Sequence, residues 1–203
     1  AGTVFRVWAP NASRVAVIGD FNAWQGAAHS MQALGASGIW ALLVPEALPH
    51  SLYRFEITNR DTGDVLVKAD PYARGVELRP GSAAYVVPPS GHVWGDAAWL
   101  EERKGWDWQR APVNIYEIHP GSWMRHPDGK PYLWRELAER LIPYAVGQGY
   151  THLELMPIAE HPFDGSWGYQ TIGLYSPTAR FGDPQGFRRF VERCHAEGLG
   201  LLL

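Results

Sequence analysis

The chain has 203 residues, of which 46% are hydrophobic and 19% are charged, and its formal net charge is −3. This length and hydrophobic content suit one large or two small folded domains. A small negative charge without runs of like charge excludes a basic nucleic-acid-binding surface, and no stretch approaches the roughly 18 apolar residues of a membrane span. We therefore predict a globular, cytoplasmic protein with neither nucleic acid nor membrane as partner, and its oligomeric state, monomer or otherwise, stays open.

Short apolar runs fill residues 1–90. The runs VFRVWAP, RVAVIG, IWALLV and LYRFEIT are separated by Gly, Pro, Asn and Asp. From Tyr53 to Ile57, apolar and charged residues alternate, so that one face is core and the other is solvent. This spacing predicts an all-β sandwich domain over residues 1–90.

Residues 91–112 lose the strand alternation. They mix turn residues with charged residues and carry four tryptophans, which argue against a flexible tether. We predict a linking segment over this range. The four are Trp94, Trp99, Trp106 and Trp108.

Residues 113–203 show a different order of elements. NIYEIH and THLELMPI read as buried strands, with a helix between them from Tyr132 to Gly147 that Pro143 is expected to kink or shorten. A second helix is predicted after Asp183, which suits an N-cap, and a third apolar strand begins at Leu199. Strand, helix, strand, helix, strand is typical of a parallel sheet with right-handed crossovers. The single cysteine, Cys194, is predicted to lie on the side of the second helix that faces the hydrophobic core.

The loop HPFDGSWGYQ follows the second of these strands. It combines aromatic rings, which suit the C–H faces of sugars, with polar groups that can bind sugar hydroxyls. We predict that polar groups on four of its residues bind sugar hydroxyls: His161, Asp164, Trp167 and Gln170. Two alternatives stay open: Asp164 is a turn residue preceding Gly165, or His161 holds the loop in place.

This loop, with the preceding Glu160 and the following GLYSPTARFG, resembles glycogen branching enzymes of the α-amylase clan. The strings FRVWAPNASRVAVIGDFNAW and YRFEI resemble the family 48 carbohydrate-binding module. The resemblance implies an immunoglobulin-like sandwich followed by the first strands and helices of a (β/α)8 barrel that is incomplete over residues 113–203. It also implies that Tyr169 stacks on the sugar whose bond is cut.

The catalytic residues are expected outside these 203 residues. The clan uses an Asp nucleophile, a Glu acid/base and a second Asp stabiliser, and the resemblance places all three beyond Leu203. We therefore expect no catalytic residue within these 203 residues and no activity from them alone. Glu117 and Glu154, in predicted strands, are interpreted as structural. His119 and Trp123, in YEIHPGSW, resemble a branching-enzyme signature that lines the acceptor side.

The sandwich offers one candidate glucan contact, Trp24. It matches the first of two tryptophans that stack on glucan in the related module of AMP-activated protein kinase. No aromatic residue occurs at Asn59 to Val65, where the second would stand. Packing of Trp24 on the sandwich is therefore the alternative to sugar contact.

The resemblance implies that the parent protein cleaves α-1,4-glucan and transfers the cut segment to a 6-hydroxyl by a retaining double displacement. Glycogen or amylose-like chains are the expected partner. Metal-ligand spacing and phosphate loops are absent, so neither a metal nor a cofactor is expected. Two alternatives remain open: an α-glucan hydrolase of the same clan (isoamylase, pullulanase or maltooligosyl trehalose trehalohydrolase), and a noncatalytic glucan-binding fragment.

Overall fold

The computed structural model describes residues 2–203, which form two compact units. One unit contains the described residues up to Pro89 together with Ile172–Ser176. The other contains Ser90–Thr171 together with Pro177–Leu203. Residues 91–112 therefore lie within the second unit.

The first unit is built from two antiparallel sheets. One has the strand order β1-β4-β3, and the other has the order β2-β5-β6 with β7 also paired to β5. The all-β character predicted for this half is confirmed. The strands are β1 Thr3–Trp8, β2 Ala12–Gly19, β3 Gln32–Ala33, β4 Ile39–Val44, β5 Leu52–Asn59, β6 Val65–Lys68 and β7 Ala84–Tyr85.

Both sheets contribute to one hydrophobic core. Phe5 and Val44 come from the first sheet, and Val15, Val17 and Phe55 come from the second. All five are at most 4% exposed, and burial of each side chain stabilises the fold by about 1.5–3 kcal/mol relative to an exposed one. The alternation predicted along β5 is observed, because its apolar positions face this core.

From residue 90 onward the chain is mainly α and β in alternation. Most of β11 lies in the first unit, and the other elements belong to the second. The elements are α1 Ala97–Lys104, β8 Ile115–Ile118, α2 Pro120–Trp123, α3 Trp134–Gly147, β9 His152–Leu155, β10 Ala159–Glu160, β11 Gly173–Pro177, α4 Pro184–Ala196 and β12 Gly200–Leu202.

A three-stranded parallel sheet organises the second unit. Its order is β12-β9-β8, and Glu154 of β9 lies between Glu117 of β8 and Leu202 of β12. The helices α3 and α4 connect these strands, and Trp134 and Phe190 from them are buried with Leu153 in the core. The predicted order of strand, helix, strand, helix, strand is confirmed.

Helix boundaries differ from the sequence predictions in identifiable ways. Helix α3 begins at Trp134 because Leu133 is its N-cap, in extended conformation and half exposed. Pro143 does not end the helix, which continues to Gly147. Asp183 caps α4 as predicted, since its carboxylate accepts a hydrogen bond from Gly186 N.

Helix α1 was missed, because residues 91–112 were predicted as a linking segment. This helix is short and carries no buried residue, so it has little of the apolar periodicity that reveals a helix. Among the helices of residues 2–203, none combines the length and the apolar character needed to cross a lipid bilayer.

Candidate functional site

The candidate site lies at the carboxyl ends of β8 and β9. His119 directly follows β8, and the loop 161–170 follows β9 and the short strand β10. Because parallel strands end at the same edge of a sheet, these segments meet: the rings of His119 and Trp167 stack with centroids 5.3 Å apart. Side chains at this edge are where α/β folds place their binding groups.

A buried ion pair between Glu160 and Arg180 holds the start of the loop in place. Glu160 is 1% exposed, and its carboxylate accepts hydrogen bonds from Arg180 Nη1 at 2.6 Å and from Ala179 N at 2.6 Å. His161 N and Thr178 Oγ1 also donate to it. A charge this buried is tolerated only when it is paired and fully hydrogen-bonded, which is the case here.

Arg180 extends this network to the loop itself. Its guanidinium also donates to Oδ1 of Asp164, from Nε at 2.9 Å and from Nη2. Asp164, predicted as a sugar contact, is therefore held by Arg180, while about half of its side chain remains exposed. Arg180 was missed at the sequence level, because a lone arginine in TARFG gives no indication that it pairs with carboxylates 16 and 20 residues away.

A tight turn fixes the tip of the loop. Trp167 and Gly168 both have positive φ, at 53° and 91°. A Cβ atom on Gly168 would lie 2.2 Å from the carbonyl oxygen of Pro157, so only glycine allows this close approach. The turn is closed by hydrogen bonds from Trp167 N to Asp164 O and from Tyr169 N to Ser166 O.

The turn presents its aromatic side chains outward. Tyr169 is 66% exposed and Trp167 is 50% exposed. Gln170 is exposed as well. Large exposed rings on an anchored loop form a surface that can contact the apolar face of a sugar.

His161 occupies a different environment. It is 3% exposed, and its Nδ1 lies 2.9 Å from the carbonyl oxygen of Ala159. Burial lowers the pKa of the neighbouring His119, and electrostatic interactions with His161 and with the guanidinium of Arg125 lower it further. The neutral form of His119 is therefore favoured at the edge where it stacks on Trp167.

The remaining candidates of the second unit lie on its strands β8 and β9 and on its helices α2 and α4. Glu117 and Glu154 are register partners on adjacent strands, so they share one face of the sheet. Trp123 Nε1 donates to Tyr116 Oη. Cys194 is fully buried as predicted, and burial raises the pKa of its thiol to about 12. Residues 2–203 contain no group of three or more His, Cys, Asp or Glu side chains that could hold a metal ion.

Trp24 lies in a turn of the first unit. It has a φ of 62° and is 39% exposed. Asn22 fixes this turn, because its side-chain oxygen accepts from Gly19 N and its amide donates to Val17 O. The turn between β5 and β6, where a second tryptophan would stand, has no aromatic residue.

Comparison with known proteins gives matches for both parts of the chain. Residues 1–73 match the family model of carbohydrate-binding module 48, the isoamylase N-terminal domain. The whole chain is 71% identical to a 1,4-alpha-glucan branching enzyme GlgB of Dechloromonas aromatica and 53% identical to one of Nitrosospira multiformis. It spans 33% and 27% of their lengths.

Two solved structures share the fold of the chain. A putative alpha amylase from Salmonella typhimurium superposes with a TM-score of 0.74 and 29% identity, over 98% of this chain and 30% of that one. A pullulanase from Paenibacillus barengoltzii, a D470A mutant complexed with maltotetraose, superposes with a TM-score of 0.72 and 22% identity, over 98% of this chain and 35% of that one. Residues 1–73 thus match carbohydrate-binding module 48, and the resemblance to branching enzymes is confirmed along the whole chain, which spans about one third of their length.

Proposed function

We propose that this chain is part of a 1,4-α-glucan branching enzyme. The observation that carries the proposal is 71% identity, over all 203 residues, to a protein of that name. The anchored loop 161–170 supports the proposal as well, because its exposed aromatic rings suit contact with sugar. The proposed substrates are α-1,4-glucan chains such as glycogen, and the proposed location is the cytoplasm.

The proposed reaction has two displacements. A carboxylate attacks the anomeric carbon of an α-1,4 linkage, so that a covalent glucosyl ester forms as the leaving chain takes a proton from a carboxylic acid. The 6-hydroxyl of an acceptor chain then attacks the same anomeric carbon and gives its proton to the carboxylate left by the acid, while the bond to the first carboxylate breaks, which produces an α-1,6 branch with the configuration retained. By resemblance, the reacting carboxylates lie outside these residues, and this chain contributes the wall that positions the donor sugar.

We further propose that β8, α3, β9, α4 and β12 begin a (β/α)8 barrel. Three adjacent parallel strands joined by helices are the repeating unit of that fold. The likeness to the Salmonella typhimurium amylase supports this assignment. The predicted domains, 1–90, 91–112 and 113–203, are proposed as module, linking segment and barrel.

Within the loop, we propose a division of roles. Tyr169 stacks on the donor sugar, while Trp167 and Gln170 contact its hydroxyls or neighbouring sugars. Asp164 contributes an exposed carboxylate oriented by Arg180. His161 is too buried to meet a sugar in this conformation, so its proposed role is to hold the loop through Ala159 O.

The module is proposed to bind glucan through Trp24. Its partly exposed ring supports this, and packing on the sandwich remains the alternative. The isolated 203-residue chain is expected to bind glucan without turning it over.

A chimera tests the proposal directly. This chain replaces the matching third of the Dechloromonas aromatica enzyme, and the purified chimera is incubated with linear amylose. Proton NMR then quantifies new α-1,6 linkages and new reducing ends together. We expect branch points without a matching rise in reducing ends, and the isolated chain should produce neither.

Two variants test the role proposed for Tyr169 in the loop. Tyr169→Ala in the chimera should lower kcat/KM by tenfold or more, on the order of the loss of one aromatic contact and its positioning effect. Tyr169→Phe should retain most activity, because it keeps the ring. Reducing ends without branch points would instead establish a hydrolase, and a folded chimera that binds amylose without either product would favour the noncatalytic alternative.

A further inference from the structure

A cleft in the first unit has no role in the proposed function. Its volume is about 500 Å³, within the ~300–1,000 Å³ range of small-molecule sites. Trp24 is not part of its wall, so it is separate from the turn that carries that residue. Its wall includes three tyrosines, two arginines and one aspartate, namely Tyr53, Tyr72, Tyr85, Arg6, Arg74 and Asp70.

The aromatic rim of the cleft is held in place. Tyr72 is 69% exposed, and one face of its ring stacks on Tyr175 with centroids 5.4 Å apart and planes 10° apart. Asp70 fixes the backbone beneath it, because one carboxylate oxygen accepts from Tyr72 N and the other accepts from Tyr53 Oη at 2.6 Å. A ring that is already oriented loses little conformational freedom when a ligand stacks on it.

One wall of the cleft is the edge strand β1. Within residues 2–203 its strand partner is β4, and residues from Thr3 to Arg6 line the cleft. An edge strand presents backbone N–H and C=O groups that can exchange hydrogen bonds with a ligand. The cleft therefore combines flat aromatic surface, backbone hydrogen-bonding groups and the exposed cations Arg6 and Arg74.

We propose that this cleft is an α-glucan-binding site of the first unit, distinct from Trp24. A glucose ring stacks on Tyr72, and its hydroxyls accept from Arg74 and exchange hydrogen bonds with the β1 edge. The choice of glucan as ligand rests on the proposed function, but the site does not depend on branching activity. The mixture of rings and polar groups is what oligosaccharides require, since each sugar has an apolar face and a polar rim.

The test uses the 203-residue chain and maltoheptaose. Two-dimensional NMR of the backbone amides follows the titration, and isothermal titration calorimetry gives the affinity. We expect shifts at Thr3–Arg6 and Asp70–Arg74, and we expect Tyr72→Ala to weaken binding roughly fivefold or more. Tyr72→Phe keeps the ring and should bind within about twofold of the parent chain.

Two matched variants assign the binding to one site. Trp24→Ala and Tyr169→Ala remove the other exposed rings proposed to meet glucan, and each should leave the shifts around Tyr72 in place. Unchanged affinity in a folded Tyr72→Ala chain would overturn the proposal, as would shifts confined to Trp24 or to the loop 161–170. Because no turnover is measured, this result is independent of the chimera experiment.

Discussion

Removal of the Arg180 guanidinium should destabilise the second unit. Glu160 is 1% exposed, and the side chain of Arg180 is 13% exposed, so the pair is screened little by solvent. Arg180→Ala leaves the carboxylate of Glu160 charged, buried and without its cation. Breaking a buried pair in this way costs about 3–5 kcal/mol.

The structure favours the lower end of that range. Three donors stay on the Glu160 carboxylate after the substitution: His161 N at 2.9 Å, Thr178 Oγ1 at 3.1 Å and Ala179 N at 2.6 Å. They continue to stabilise the negative charge. We therefore expect a loss of about 3 kcal/mol in the free energy of unfolding.

A double-mutant cycle separates the charge from other effects. Glu160→Gln removes the charge but places an amide beside Ala179 N, so it is destabilising by itself. In that background, Arg180→Ala no longer leaves a buried charge, and its cost should fall to about 1 kcal/mol. The expected coupling energy is therefore about 2 kcal/mol.

The assay is native-state amide hydrogen exchange of Leu153 and Leu155, which are buried in β9. Arg189→Ala is the control, because this arginine lies on α4 and is exposed, and its removal should change stability by no more than about 0.5 kcal/mol. A loss below about 1 kcal/mol for Arg180→Ala, or the same loss with Gln at position 160, would refute the buried-charge reasoning.

Two further predictions concern the same edge of the sheet. Gly168→Ala should lower the thermal stability of the chain more than Gly129→Ala: both glycines have positive φ, but only the first would place its Cβ against Pro157 O, whereas the second faces open space. Equal losses of thermal stability would mean that the positive φ alone, and not the contact with Pro157 O, makes the alanine destabilising. For His119, NMR titration should give a pKa below 6.5, because burial and the charge on Arg125 disfavour its protonated form. The unfolded chain then binds the proton first, so His119 reduces stability as the pH falls through 6.5; Arg125→Met should raise this pKa, and no change would exclude the charge effect.

Local patterns in the sequence were sufficient for most of the fold. Alternation between Tyr53 and Ile57 revealed β5, and the pair Asp183-Pro184 marked the start of α4, because both signals arise from neighbouring residues. Helix α1 lacks such a signal, since none of its residues is buried. The residues Ile172–Ser176 belong to the first unit although they are far from it along the chain, and only contacts between distant residues determine that.

In the candidate site, too, contacts between residues distant in sequence could not be predicted. The composition of HPFDGSWGYQ indicated a sugar-binding loop, and the exposure of Tyr169 agrees with that interpretation. Composition could not tell a side chain that faces solvent from one that faces the protein. The burial of His161 and the ion pair of Asp164 depend on Glu160 and Arg180. These two residues are hydrogen-bonded to each other across 20 positions of the sequence.

The loop separates the groups that hold it from the groups that are proposed to bind sugar. Glu160 and His161 are buried, whereas Tyr169 and Trp167 are exposed above them. Exposed rings gain little from burial, so they do not fix the conformation of the loop, whereas the Glu160–Arg180 pair does, because breaking a buried pair is costly. We therefore expect Arg180→Ala to weaken the glucan contact proposed for Tyr169, although Arg180 is not proposed to touch glucan, because Arg180 holds Asp164 and Asp164 begins the turn that carries Tyr169.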